Sequence, residues 1–421
     1  MSPSMTEMFR VFGRIGLLSF GGPAAQIAVM HRELVEDRPW LSEPGFLRAL
    51  SFCMLLPGPE AMQLATYAGW RLRGIPGGLL AGLLFVIPGA LVISILVGLY
   101  AAYGDLELVQ AGFLGIKASV VIIVLLALRK LARKALHGIS AWVLAGLGFI
   151  GLFALNLPFP VIVLGAGCYG LLRGGAGAEP EGTPKQLKVS LAGQQLLIWG
   201  GLWLLPLIAL SLSGATFLAD VGWFFAKLAV VTFGGAYAVL AYMTQTVVEN
   251  YHWISTEQMI DALGLAETTP GPLILVTQFV AMLAGLQAQG PALGLAAGLV
   301  ALWATFMPCF LWIFLAAPYV EQISSHPRLG AALKAITASV VGVILNLSVW
   351  FAMHVLFTKV ERVDHQLLSI AVPVRASLDP VALGLVCLAA VATQITRGSM
   401  MLTLFLMALA GIGTTLLPGV G

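Results

Sequence analysis

The chain has 421 residues, of which 59% are hydrophobic and 10% charged, against about 25% charged in a soluble domain. That balance excludes a soluble globular protein and defines an integral membrane protein. The net charge of +3 is spread over loops and leaves no footprint for nucleic acid.

Apolar runs of 18 to 25 residues recur from end to end, each near the roughly 20 residues that cross a bilayer core. A bilayer admits only helices or closed barrels, so the expectation is an all-α bundle. In chain order the spans are expected near 10–31, 46–69, 75–101, 110–132, 139–155 and 157–173. An extra span falls near 194–213, followed by 219–245, 258–283, 291–317, 333–357, 379–395 and 399–417, about thirteen in all. The segment 1–14 shows no apolar core with a small-residue cleavage site, so the first span is expected to stay in place. Cys53, Cys168, Cys309 and Cys387 stand singly in apolar stretches without metal-ligand spacing and read as small hydrophobes.

The chain repeats itself. "FGRIGLLSFGG" (12–22) returns as "FAKLAVVTFGG" (225–235), which places Phe20 and Phe233 213 residues apart. The same separation relates Trp40-Leu41-Ser42 to Trp253-Ile254-Ser255, and Pro57-Gly58-Pro59 to Pro270-Gly271-Pro272. Farther on, Pro88 matches Pro308 and Ala118-Ser119-Val120-Val121 matches Ala338-Ser339-Val340-Val341, now 220 apart, a seven-residue insertion in the second copy. The segment 174–190, rich in Gly, Pro and charge, reads as a cytoplasmic linker between a repeat over 1–173 and a repeat with one extra helix over 191–421.

With seven spans before the second copy, that copy is expected upside down, the inverted repeat of secondary transporters. The loop holding Arg129, Lys130, Arg133 and Lys134 is the most basic and is expected in the cytoplasm. Alternation then puts Arg71, Arg73 and the N-terminus inside, and Asp105, Glu107 and the C-terminus outside. The loop 285–290 of the second copy, equivalent to the Arg71 loop, is uncharged and expected outside.

Helices should break inside the membrane at Pro57-Gly58-Pro59 and at Gly21-Gly22-Pro23, with Gly234-Gly235 and Pro270-Gly271-Pro272 supplying the same devices in the second copy. Each break starts a half-helix, whose free N–H groups and positive dipole end suit an anion. A plain proline kink is the alternative for any one of them. Arg14 and Lys227 each lie seven residues before a glycine pair, about two turns, and so share its helix face. Either they face the site or they snorkel to an interface. Glu60 follows the first Pro-Gly-Pro and Glu267 precedes the second, both candidates for proton coupling, with dipole capping as the alternative for Glu60. Lys117 lies midway along a span and is a candidate for substrate contact. Gln63, Gln278, Thr268, Thr269 and Tyr237 could add donors or serve as interhelical glue.

The duplicated "SFGGP", "PWLS" and "LLPGPEAMQLATYAGWRLRGIPGG", with "TFGGA", "HWIS" and "TTPGP" in the second copy, resemble the bacterial chromate ion transporter family in its long, two-domain form. The resemblance covers essentially the whole chain. It implies export of chromate from the cytoplasm across the bacterial inner membrane, energised by the proton gradient or the membrane potential, and so chromate resistance. The family pattern falls on Gly21, Gly22, Pro23, Pro57, Gly58, Pro59, Glu60, Gln63 and Trp70; the second copy departs from it at Ala236 and Leu273. Sulfate, the same tetrahedral dianion in shape, stays open as cargo, as does passive anion conduction. The expected partners are chromate or sulfate, protons and lipid, with a homodimer left open. No cofactor or metal is expected. An intramembrane enzyme using Glu60 and Glu267 finds no HExxH, GxSxG or P-loop to support it.

Overall fold

The protein is seen here as a computed structural model that describes residues 3–20, 22–174, 189–233, 236–320, 327–365, 368–396 and 399–416. Among these residues are sixteen α-helices and one two-stranded hairpin. It is an all-α membrane fold, and five helices are long and apolar enough to cross a bilayer by length and composition.

The first copy opens with α1 (Met5–Leu18), capped by the Ser4 hydroxyl accepting from the Glu7 N–H. Then come α2 (Gly22–His31), a π-helical turn at Arg32–Glu36, α3 (Glu43–Cys53) and α4 (Glu60–Tyr103). The 44 residues of α4 would run about 66 Å if straight, twice the apolar thickness of a bilayer. They do not run straight: Arg73 and Gly74 leave helical geometry, Gly74 at φ +65° and ψ −155°, and the helix turns back on itself. Gly69 and Gly77 face each other across that turn so closely that a methyl on either would collide with the other's carbonyl oxygen. The copy continues through α5 (Glu107–Ala135), α6 (Ile139–Phe153) and α7 (Phe159–Arg173).

The extra helix is α8 (Val189–Leu212). The second copy then gives α9 (Thr216–Val231), α10 (Ala236–Gln245), a π-helical turn at Thr246–Asn250 and α11 (Thr256–Thr268). A 3₁₀ turn at Leu273–Leu275 leads into α12 (Val276–Gln289), followed by α13 (Pro291–Ala316) and α14 (Pro327–Leu356). Strands β1 (Val360–His365) and β2 (Leu368–Pro373) precede α15 (Pro380–Ile395) and α16 (Met400–Thr414). The expected spans 10–31, 46–69, 219–245 and 258–283 are thus each two helices separated by a break. Both copies carry the π-helical turn, and both close the loop after it alike: Trp40 N–H donates to Leu34 O at 3.1 Å and Trp253 N–H to Val247 O at 2.9 Å.

The hairpin was not foreseen. "VERV" sets Val360 and Val363 around two charges and "SIAVP" holds the β-branched Ile370 and Val372, a strand signal too short and irregular to stand out among long apolar runs. Its strands pair antiparallel from Val360 with Pro373 to His365 with Leu368, and Arg362 Nη2 donates to Glu249 Oε2 at 2.7 Å. Of the expected linker 174–190, residues 175–188 lie outside the described residues, and Val189 and Ser190 already belong to α8.

The chain divides into two compact units that cut across the repeats, since each takes segments from both copies. The first comprises Met1–Val97, Arg173–Ala236 and Thr269–Ala331. Within it α13 packs against α12, α9 and α8, the Trp203 indole N–H donates to Ala304 O at 3.1 Å, and Trp199 packs on Phe314. The second comprises Gly98–Leu172, Tyr237–Thr268 and Ala332–Gly421. Here α5 packs against α16, α15 and α11, with Gly115 pressed on the Met407 backbone. Glycine contacts of this kind let helices approach where lipid supplies no hydrophobic drive between them.

Candidate functional site

The two Pro-Gly-Pro breaks lie in the first unit. At the first, Gly58 sits at φ +121°, a conformation open to glycine, and α4 restarts at Glu60 directly after Pro59. The side chain of Gln63, fully buried, reaches back across the break and donates from Nε2 to Pro57 O at 2.7 Å. It thereby serves a carbonyl that the broken helix leaves unpaired. At the second, Gly271 sits at φ +88° and Pro272 is extended before the 3₁₀ turn.

The breaks are joined by a reciprocal exchange. Gly58 N–H donates to Thr232 O, and Gly271 N–H donates to Ser19 O, each at 2.8 Å. Ser19 and Thr232 are equivalent by the 213-residue separation, as are Gly58 and Gly271. Each acceptor also ends its helix in the same way, the Ser19 hydroxyl donating to Ile15 O and the Thr232 hydroxyl to Leu228 O, both at 2.6 Å. The two bonds thus join equivalent residues of the two copies reciprocally, the pattern that a local two-fold relation produces. One further bond breaks that symmetry: Gln26 Nε2 donates to Gly271 O at 2.7 Å, whereas Val239 holds the equivalent place.

These segments enclose a small cavity lined by Pro23, Gln26, Pro59, Glu60, Ala61, Thr232, Pro272, Leu273 and Ile274. Its volume is about 10 Å³, room for one water-sized probe. The first turns of α2 and α4 and the 3₁₀ lead-in to α12 all end on it, so three helix N-termini converge there. At such an end the first N–H groups lie outside the intrahelical ladder, and an α-helix adds formally about half a positive charge. Glu60, half-buried in the first turn of α4, is the charged residue among those lining the cavity.

Of the residues singled out from sequence, the structure thus brings together Pro23, Pro59, Glu60 and Pro272, with Pro57, Gly58, Gln63, Pro270 and Gly271 building the breaks behind them. Gly22 opens α2 at φ +75°. Gly21, Gly234 and Gly235 lie outside the described residues. Arg14 does not line the cavity. Its side chain is 57% exposed, and its Nε lies 3.3 Å from Oε1 of the fully buried Glu33, whose other oxygen accepts from Arg38 Nη1 at 2.6 Å. Lys227 is exposed on α9. Gln278 donates to Ala90 O and Ser94 Oγ, interhelical bonds of 3.0 and 2.9 Å.

Lys117 and Glu267 belong to the second unit. Glu267 is buried, takes a hydrogen bond from the Tyr237 hydroxyl at 2.6 Å on Oε1, and leaves Oε2 without one. Thr268 bonds its own helix at Leu265 O. Lys117 Nζ lies 3.3 Å from Asp261 Oδ1. Sequence reasoning overlooked Asp261, although an acid inside an apolar helix was visible, and also Gln26 and Thr232, although Thr232 stands where Ser19 stands in the other motif.

A polytopic helical protein built from a duplicated unit, with broken helices from both copies meeting at one small site, has the architecture of a solute transporter. The chain belongs to the chromate transporter family, whose model matches residues 6–171 and again 219–413. It is 31% identical over 350 residues to the probable chromate transport protein of Synechococcus elongatus, covering 81% of this chain and 83% of that one. It is 31% identical over 346 residues to the chromate transport protein of Cupriavidus metallidurans, with 81% of each chain covered. With the chromate transport protein of Pseudomonas aeruginosa it shares 33% identity over 354 residues, 81% of this chain and 79% of that one. No solved structure matches it.

Proposed function

We propose that the protein is a secondary active transporter that exports chromate, a tetrahedral dianion, from the cytoplasm across the bacterial inner membrane, with the cavity between the breaks as its anion site. The observation that carries this reading is the convergence of three helix N-termini, drawn from both copies, on one cavity beside Glu60. Three termini amount formally to about +1.5 charges. An ionised Glu60 cancels most of that, so an arriving dianion meets a nearly neutral site and is repelled by the carboxylate. A proton on Glu60 restores the positive field, and substrate arrival therefore draws that proton on.

At about 10 Å³ the cavity is too small for the anion in this conformation, which favours a closed stage of alternating access over an open channel. The repeats at 1–173 and 191–421 are read as inverted copies, the arrangement with which secondary transporters alternate access. The test is chromate accumulation in inverted membrane vesicles with and without a proton gradient, with sulfate as competitor. Gradient-dependent uptake is the expected result. Equal competition by sulfate would widen the substrate to tetrahedral dianions, and uptake indifferent to any gradient would replace the transporter by a channel.

A further inference from the structure

The second unit buries a polar cluster that the anion cavity does not use. Asp261, 5% exposed on α11, has Lys117 Nζ of α5 at 3.3 Å from Oδ1, and accepts from the Tyr100 hydroxyl, near the end of α4, at 2.8 Å on Oδ2. Oδ1 receives no well-directed hydrogen bond. The other charges near the cluster are Glu257, one turn earlier on α11, and Asp105 in the turn before α5. Helix α16, which also packs on α11, carries no titratable residue.

Taking two charges out of water costs several kcal/mol per ion, and their attraction offsets this only where the remaining lone pairs are also satisfied. In this cluster one oxygen depends on an off-axis contact alone, while two further acids add like charge. A proton on the carboxylate removes the like-charge contact and frees Lys117, whose side chain is 18% exposed, from the pair. The cluster is also absent from the other copy, where Arg48 and Thr337 occupy the equivalent positions, so it is not a packing device of the repeat. Helix α11 ends at Thr268, two residues before Pro270 of the second break.

We propose that Asp261 is a proton-binding site of the transport cycle, with Lys117 the counter-charge that keeps it ionised and Tyr100 the group that orients it. In the step itself a proton from water on the open side adds to the Asp261 carboxylate, giving the neutral acid; Lys117 remains an ammonium and is released from the pair. This proton is tied to movement of α11, in contrast to the one at Glu60, which is tied to anion binding; the inference rests on the transport reading above.

The test uses the full chain in liposomes and in detergent. Asp261→Asn is expected to bind chromate with its pH dependence intact but to show flux that ignores an imposed pH gradient. Lys117→Met is expected to move the pH profile of flux to higher pH by about 1–3 units, the usual effect of one close opposite charge, and Lys117→Met with Asp261→Asn should show no such shift. Gradient-sensitive flux in Asp261→Asn, or lost flux in Lys117→Met without a displaced profile, would overturn the proposal. Infrared spectroscopy of the purified protein reads the site without transport: a carboxyl band that titrates in wild type should vanish in Asp261→Asn and return in Asp261→Glu. If the band titrates while wild type moves neither chromate nor sulfate, the transport reading fails and the proton site stands; if no band is lost in Asp261→Asn, the proton site fails.

Discussion

At Glu60 two roles that look alike in the structure separate on substitution. Glu60→Gln keeps the shape and a hydrogen-bonding head but cannot titrate. If the carboxyl carries the proton that lets a dianion enter, the variant binds chromate, its affinity loses its pH dependence, and its flux ignores a pH gradient. If Glu60 merely caps α4, the loss is about 0.3–1 kcal/mol of stability, and flux stays gradient-sensitive. Equilibrium binding and liposome flux on one preparation decide between these outcomes. Gly58 makes a second residue-scale case, because at φ +121° an added Cβ is strained and would lie 2.9 Å from Gln63 Nε2. Gly58→Ala is expected to cost about 1–3 kcal/mol and to displace the Gln63 side chain from Pro57 O, read as a lower unfolding temperature together with weakened chromate binding. Arg14→Ala should leave anion affinity unchanged, since the guanidinium meets Glu33 and Arg38 stays on that carboxylate; weakened affinity would return Arg14 to the site.

At the scale of elements, the breaks were legible because proline and glycine act on the backbone directly, whatever the tertiary context, and because the 213-residue separation repeated them in register. The partners of the intramembrane charges were not legible, since Lys117 and Asp261 are far apart in the chain and only the packing of α5 on α11 unites them. The partner of Arg14 was hidden for a related reason: its helix face follows from spacing, but Glu33 falls in a stretch of mixed charge where no pairing could be read. The turn between the two arms of α4 was expected from the gap between spans 46–69 and 75–101, yet what holds the arms together is seen only in the structure. Because backbone meets backbone at Gly69 and Gly77, no side chain can move aside to admit a larger residue. Gly69→Val is therefore expected to prevent the arms from closing and to abolish folded protein in detergent, judged by size-exclusion chromatography. By contrast Gly13→Val, at a position with open space around it on α1, should leave the yield nearly unchanged. Equal yields for the two would remove the close approach as a determinant of the fold.

At the scale of the molecule, the orientation of the copies turns on parity. Counting each broken pair of helices as one crossing, α1 with α2, α3 with the first arm of α4, α9 with α10 and α11 with α12, leaves thirteen crossings among the described helices. Seven of them precede the second copy, so on this count that copy is expected inverted and the two termini are expected on opposite sides. By the positive-inside rule the basic end of α5, with Arg129, Lys130, Arg133 and Lys134, is expected in the cytoplasm, and the expected orientation then has the N-terminus inside and the C-terminus outside. Should any broken pair instead turn back at its break, the parity changes at that point and every later element flips. A phosphatase active only outside the cytoplasm and a fluorescent protein active only within it, each fused after Gly421, distinguish the two cases in whole cells. Phosphatase activity without fluorescence is the expected result. The reverse pattern would mean that an odd number of the breaks are re-entrant, and the same pair of reporters placed in the 285–290 loop and before Val189 would then show in which copy the chain turns back.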